Sequence, residues 1–109
     1  MDFKTYQKNA RLTALYPDLG SNYIYPTLGL VGEAGEVAEK VKKVIRDKKG
    51  IFDEESKKGL KKELGDVLWY VSNLCTEFNF NLDDIALQNL EKLKLRAAKG
   101  KISGSGDDR

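Results

Sequence analysis

The chain has 109 residues, with 19 Lys and Arg against 17 Asp and Glu and a formal net charge of +2, so we expect a single domain that does not coat nucleic acid. It contains no histidine, which excludes Ser-His and Cys-His nucleophilic sites and the usual zinc ligand. The single cysteine, Cys75, excludes an intrachain disulfide and is expected in the core. Without a long apolar run or a signal peptide, the protein is expected to be cytoplasmic and not membrane-bound.

Helical spacing of apolar residues predicts two helices in the first half of the chain. The first covers "DFKTYQKNARLTALY", residues 2–16, with Asp2 as its cap, and Pro17 is expected to end it. A loop follows, and Pro26 suits the first position of a second helix. That helix is predicted to run to about Asp47, where "DKKG" ends it.

The second half predicts two more helices and a tail. "IFDEESKKG" is interpreted as a charged connection, followed by a third helix whose apolar residues run from Leu60 to Phe78. "NFN" ends it, and Asn81 or Asp83 is expected to cap a fourth helix. We therefore predict an all-α fold, a four-helix bundle, with a helical domain at 1–99 and a glycine-rich polar tail at 100–109.

Two acidic pairs of equal spacing lie on the second and third helices. Glu33 and Glu36 are one turn apart in "EAGE", and Glu63 and Asp66 repeat that spacing in "ELGD". If the two helices pack antiparallel, both pairs face one space, where four carboxylates repel one another. A hard divalent cation such as Mg²⁺ removes the repulsion because it takes oxygen ligands. The pairs therefore predict a metal site, against the alternative of a solvated helix face.

Glycines accompany both acidic pairs. Gly29, Gly32 and Gly35 recur every three residues, and Gly65 lies inside the second pair. A glycine inside a helix costs about 1 kcal/mol relative to alanine. We expect the missing side chains to admit a neighbouring backbone or a bulky ligand, unless they only relieve crowding between helices.

In this context the sequence resembles the MazG-like all-alpha nucleoside triphosphate pyrophosphohydrolases. The family signature is E-x-x-E, a spacer of roughly a dozen to about 28 residues, and E-x-x-D; here 26 residues separate "EAGE" from "ELGD". The stretches "LGLVGEAGEVAE" and "ELGDVLWYVSNL" are similar to its helices, and the likeness covers about residues 23–109. The resemblance implies a Mg²⁺-dependent enzyme, with Mn²⁺ as a possible substitute. It would cleave nucleoside triphosphates to the monophosphate and pyrophosphate, in clearing or balancing nucleotide pools.

The resemblance also implies roles for individual residues. The metal ligands would be Glu33, Glu36, Glu63 and Asp66, and Glu36 or Glu39 would accept the proton of the attacking water. Substrate contacts are expected on the third and fourth helices, from Tyr70, Asn89, Lys92 and Arg96. For Glu39 and for the fourth-helix residues, the alternative is ordinary solvated helix chemistry.

The apolar side chains exceed what one thin bundle needs, notably Tyr6, Leu12, Leu15, Trp69 and Phe78. We therefore expect a homodimer or homotetramer. A non-catalytic helical interaction or regulatory module that retains the fold is the alternative function. A di-iron bundle is disfavoured because the sequence has no E-x-x-H motif.

Overall fold

A computed structural model of the chain describes residues 1–100, and this part contains four α-helices and no strand. Their bounds are α1 Phe3–Leu12, α2 Ile24–Lys48, α3 Glu54–Glu77 and α4 Leu82–Ala98. The prediction of an all-α chain with four helices is confirmed. Apart from Gly100, the predicted tail lies outside the described residues.

The two long helices, α2 and α3, form an antiparallel pair that is the main packing contact of the fold. Its register places Gly29 against Tyr70 and Gly59 against Lys40. Between these two crossings the acidic stretches of α2 and α3 lie opposite each other, as the sequence analysis expected. Only the short segment 49–53 joins the helices, so the pair is a tight helical hairpin.

The start of α3 corrects the prediction that "IFDEESKKG" is a connection, because the helix already begins at Glu54. Asp53 caps it by accepting a hydrogen bond from the Ser56 N–H at 2.7 Å. Lys48 adds a bond to the Asp53 carboxylate at 2.9 Å, which ties the end of α2 to the start of α3. An acidic first turn stabilises a helix N-terminus, so charged residues lengthen this helix.

The boundaries near the two prolines also differ from the prediction. Helix α1 ends at Leu12, well before Pro17, and the Thr13 hydroxyl donates to the Ala10 carbonyl at 2.6 Å. Leu15 is consequently 92% exposed, while Tyr16 points inward. Pro26 is buried and lies third in α2, which begins at Ile24. The predicted cap of α1 is correct, since Asp2 accepts from the Thr5 N–H at 2.8 Å.

Gln7 joins three helices at one end of the molecule. Its side-chain amide donates to the Thr76 hydroxyl at 3.1 Å and to the Phe80 carbonyl at 2.9 Å. Its side-chain oxygen accepts from the Leu82 N–H at 2.9 Å, which satisfies a donor in the first turn of α4. Helix α4 packs chiefly on α1, and α1 packs on α3. The first and last helices therefore assemble at the C-terminal end of α3.

The core of the single chain is small. Its buried apolar residues are Ala10, Ala14, Tyr16, Pro26, Val44, Cys75 and Leu82. The predicted core position of Cys75 is confirmed. By contrast, much of the apolar periodicity lies on exposed surface, including Val31, Ile45, Leu64, Leu87, Leu90 and Leu95. None of the helices in residues 1–100 has the length and apolar character needed to cross a membrane.

Candidate metal centre

Three carboxylates meet at the middle of the α2–α3 pair. Glu33 from α2 and Glu63 and Asp66 from α3 each place one oxygen within 4.8 Å of the other two. Glu33 and Glu63 are partly buried and Asp66 is exposed, so the group opens to solvent on one side. The antiparallel register produces this meeting because one turn of α3 presents both of its acids to Glu33.

Within residues 1–100, no cationic side chain forms an ion pair with this group. Partial burial raises the pKa of Glu33, and Asp66, Glu63 and Glu36 raise it further by like-charge repulsion. None of the ion pairs formed within residues 1–100 includes Glu33, Glu63 or Asp66. The raised pKa means that the surroundings of Glu33 disfavour its charged form, and a bound cation would reverse this.

The donor set fits a hard divalent cation. Ligand oxygens about 2.1 Å from an octahedral Mg²⁺ are separated from one another by roughly 3 to 4 Å. The spacing of the three carboxylates is close enough to reach this by small side-chain rotations. The open side leaves room for water or phosphate oxygens to complete the coordination.

The remaining two predicted acids lie beside this group, outside the set of three. Glu36 is exposed, one turn along α2, and close enough to Glu33 to raise its pKa. Glu39 accepts from Lys42 at 3.0 Å and lies 3.8 Å from Lys43. The Lys42 contact, with smaller contributions from Lys43 and Arg46, lowers the pKa of Glu39 and makes it a weaker base.

The ring of Tyr70 accounts for the glycine at position 29. A Cβ at Gly29 would overlap the Tyr70 ring, so the glycine is what lets this ring lie against α2. Burial raises the pKa of Tyr70, and Tyr25, Glu33 and Asp66 raise it further. Gly32, Gly35 and Gly65 have no atom within 4 Å of the corresponding position, so their surfaces are open.

A row of tyrosines continues from Tyr70 away from the carboxylates. The Tyr25 ring lies 6.5 Å from Tyr70, and Tyr16 stacks on Tyr25 at 4.9 Å with 14° between the planes. Tyr25 is 44% exposed, so part of its ring faces solvent. The row forms an aromatic surface on one side of the carboxylate group.

Glu77 fixes the far end of this row. Its side chain is 1% exposed and accepts hydrogen bonds from Arg11 at 2.7 Å and from the Tyr16 hydroxyl at 2.6 Å. It also accepts from the backbone N–H groups of Gly20 at 3.0 Å and Asn22 at 2.7 Å. The α1–α2 loop is thereby held to α3 through one buried carboxylate.

The predicted substrate residues of the fourth helix lie apart from this arrangement. Asn89 is exposed, Lys92 is partly buried and Arg96 is 5% exposed, on a helix whose main neighbour is α1. Among residues 1–100, the group of carboxylates close enough to share a metal draws only on α2 and α3. Any contribution from α4 to the same site is therefore a separate proposal.

Sequence reasoning missed Tyr16, Tyr25 and Glu77. A signal existed for Tyr25, which lies one turn before Gly29 and two turns before Glu33 on the same face of α2. None existed for Tyr16 and Glu77, because they are far apart in the chain and meet through a non-periodic loop.

Comparison with known proteins places the chain in a sequence context. The family model described as "MazG nucleotide pyrophosphohydrolase domain" matches residues 25–100. The Gene 37 protein of Mycobacterium phage L5 is 46% identical over 114 residues, a match that covers the whole of both chains. No solved structure matches the chain.

Proposed function

The chain belongs to the MazG nucleotide pyrophosphohydrolase family, and from this premise we propose that it hydrolyses nucleoside triphosphates, with Mg²⁺, to the monophosphate and pyrophosphate. The observation that carries the proposal is the group formed by Glu33, Glu63 and Asp66. Three convergent carboxylates that form no ion pair within residues 1–100 suit a metal-assisted reaction on a phosphate chain. Its proposed role is to clear or balance pools of ribonucleotides or deoxyribonucleotides.

Glu33, Glu63 and Asp66 would hold the metal, and Glu36 is proposed as a further ligand because it lies one turn from Glu33. A bound Mg²⁺, or Mn²⁺ in its place, would neutralise phosphate charge and lower the pKa of a bound water. Catalysis would then depend on these carboxylates and on positioning of the phosphates, since the chain has no histidine.

Glu36 is the better of the two proposed proton acceptors. It is exposed beside the carboxylate group, whereas Glu39 already pairs with Lys42. A carboxylate with a cationic partner holds its charge more strongly and takes up a proton less readily. Glu39→Gln should therefore reduce turnover much less than Glu36→Gln does.

A panel of canonical and damaged NTPs and dNTPs, with products separated by anion-exchange chromatography, tests the reaction. Monophosphate and intact pyrophosphate are the expected products, and they should depend on Mg²⁺ or Mn²⁺. Release of diphosphate and orthophosphate would contradict the proposed register of phosphate binding. Hydrolysis of no member of the panel, with a melting temperature unaffected by millimolar Mg²⁺, would favour the non-catalytic interaction module.

We also propose that the protein acts as a homo-oligomer, with a dimer as the smallest unit. The exposed apolar residues on α2, α3 and α4 support this, because Val31 is 67% exposed and Leu64 52% exposed on the very helices that carry the acids. A second copy would cover these surfaces and would bring Asn89, Lys92 and Arg96 of its α4 towards the carboxylates. Light scattering at micromolar concentration tests this proposal, and an active monomer of about 12 kDa would contradict it.

A further inference from the structure

A groove of about 820 Å³ lies between the second half of α2 and the first half of α3. Glu63 lines this groove and also belongs to the carboxylate group. The groove therefore opens directly from the candidate metal centre and needs no separate entrance. Its size is within the range of nucleotide-sized binding sites.

The groove is lined by four acids and by five lysines, which are Lys40, Lys43, Lys48, Lys58 and Lys62. Lys43 and Lys48 lie close to acids of the chain, Glu39 at 3.8 Å and Asp53 at 2.9 Å. The other three form no ion pair with any residue in 1–100. Three lysines that line one groove beside the metal centre are thus without an ion-pair partner in the described part of the chain.

The acids of the groove only partly offset these lysines. Asp47 is held by Arg46 at 2.8 Å, and Glu54 lies 3.7 Å from Lys57, both cations that do not line the groove. Glu55 and Glu63 remain, and Glu63 is the one that a bound metal would neutralise. The groove therefore favours an anion once a metal is bound.

Gly59 lies against the Lys40 side chain on the α3 side of the groove. A Cβ at this position would lie 3.8 Å from the Lys40 Nζ, so the Lys40 side chain extends across the glycine. The opposite side of the metal centre is different, because there the hairpin presents the aromatic rings of Tyr25 and Tyr70. The carboxylates thus lie between an aromatic surface and a lysine-lined groove.

From the position of the carboxylates between these two surfaces, we infer that the nucleotide lies along the α2–α3 hairpin. Its base stacks on Tyr25, and its pyrophosphate end lies in the groove of Lys40, Lys58 and Lys62. The inference rests on the proposed pyrophosphohydrolase function. Aromatic rings stack on any base, and ammonium groups bind phosphate oxygens by charge-assisted hydrogen bonds. The scissile bond between the α- and β-phosphates then falls at the carboxylates, and pyrophosphate leaves through the groove.

The two products provide separate probes of the two ends. The triple variant Lys40→Gln, Lys58→Gln, Lys62→Gln should weaken inhibition by Mg²⁺-pyrophosphate at least about tenfold, because three charge-assisted contacts are lost. Inhibition by the nucleoside monophosphate should change less than about twofold in the same variant. The matched control replaces three exposed lysines outside the groove, Lys4, Lys8 and Lys61, with glutamine. It should leave the inhibition constants of pyrophosphate and of the monophosphate unchanged.

Tyr25→Ala should have the opposite effect. Loss of base stacking should weaken inhibition by the monophosphate about fivefold or more and leave pyrophosphate inhibition unchanged. Tyr25→Phe, which keeps the ring, should restore monophosphate inhibition and so separates stacking from a folding defect. Tyr23→Ala is the control, since Tyr23 is exposed but lies beside Phe78, at 5.6 Å.

Two results would overturn the inference. In one, the lysine variant weakens inhibition by the monophosphate and Tyr25→Ala weakens inhibition by pyrophosphate. This result would mean that the nucleotide binds in the reverse orientation. In the other, each variant affects both products equally. Either can be seen only while the wild-type protein hydrolyses nucleotides, so it is distinct from failure of the proposed function, in which no nucleotide is hydrolysed at all.

Discussion

Glu77 and Glu33 are glutamates on neighbouring helices with opposite surroundings. Burial alone would raise the pKa of Glu77, but the bonds from Tyr16, Asn22, Gly20 and Arg11 together lower it to about 2. Glu33 faces Asp66 and Glu63, and its pKa is raised. Among residues 1–100, Glu77 accepts from four donors, whereas Glu33 forms no ion pair with a cation. This difference separates a carboxylate that is satisfied within the fold from one that is open to a cation from solution.

The largest expected effect is on the buried carboxylate of Glu77. Glu77→Gln should lower the free energy of unfolding by about 3 kcal/mol, because breaking a buried ion pair leaves Arg11 and the loop donors without their charged partner. The melting temperature, followed by circular dichroism, should fall by more than about 10 °C. Glu91→Gln, at an exposed position of α4, is the matched control and should change little. An unchanged melting temperature for Glu77→Gln would remove the basis of the comparison.

The same pair predicts opposite responses to pH. The folded pKa of Glu77 is about 2 and its ordinary value is 4.5, so its contribution is complete above pH 4.5 and is lost as the pH falls through 2. That contribution is about 3 kcal/mol from a shift of 4.5 − 2 = 2.5. The raised pKa of Glu33 acts the other way, because protonation favours the fold and the benefit disappears as the pH rises through its folded pKa.

Carbon-detected NMR titration of the two carboxyl groups, without added metal, checks this prediction directly. Glu77 should titrate near pH 2 and Glu33 above its ordinary value. Urea denaturation should accordingly give a loss of stability as the pH falls below 4.5. Equal titration midpoints for the two residues would contradict the distinction between their environments.

The third prediction concerns the carboxylates of the candidate metal centre. Asp66→Asn and Glu36→Gln should each reduce turnover by at least about 100-fold, by analogy with the loss of other groups that stabilise charge in a transition state. Neither should destabilise the metal-free protein, because each substitution removes a repelling charge. The rise in melting temperature on adding Mg²⁺ should shrink in Asp66→Asn, since the stabilisation depends on affinity. Turnover near that of the wild type in either variant would refute the assignment.

The smallest effects concern two glycines of α2, Gly29 against Tyr70 and Gly35 within the first acidic pair. Gly29→Ala should destabilise the protein by about 1–3 kcal/mol, because the new methyl group meets the Tyr70 ring. Gly35→Ala should stabilise the metal-free monomer by about 1 kcal/mol, since alanine favours a helix and nothing lies nearby. Chemical denaturation of the two variants side by side measures the contrast. The same sign for both would show that Tyr70 does not need the space at Gly29.

The parts of the fold that follow local rules were predictable from the sequence. Apolar periodicity gave four helices, and Asp2 was correctly identified as a cap. The start of α3 was not, because a charged stretch such as "DEESKK" is compatible with a loop or with a helix capped by Asp53. In the folded chain, the Asp53 cap and the contact between Lys48 and Asp53 across the hairpin favour the helix.

The candidate site was likewise predictable only in part. The equal spacing of "EAGE" and "ELGD" predicted that acids of α2 and α3 meet, and Glu33, Glu63 and Asp66 do so. The pattern alone could not choose between a role in the site and an ion pair for Glu39, because Lys42 and Lys43 lie three and four residues after it on the same helix. Nor could it reveal the Glu77 network, whose Gly20 and Asn22 donors come from backbone that no side-chain pattern describes. Helix spacing specifies facing residues, whereas loop conformation depends on the assembled fold.

The position of the lone cysteine has a practical consequence for kinetics. Cys75 lies two residues before Glu77, is 7% exposed, and burial raises the pKa of its thiol. A protonated, covered thiol is alkylated only when the surrounding structure opens. Its rate of modification in the native protein therefore measures how often this end of α3 opens. The chain thus allows the opening of the segment that holds the α1–α2 loop to be timed without an engineered label.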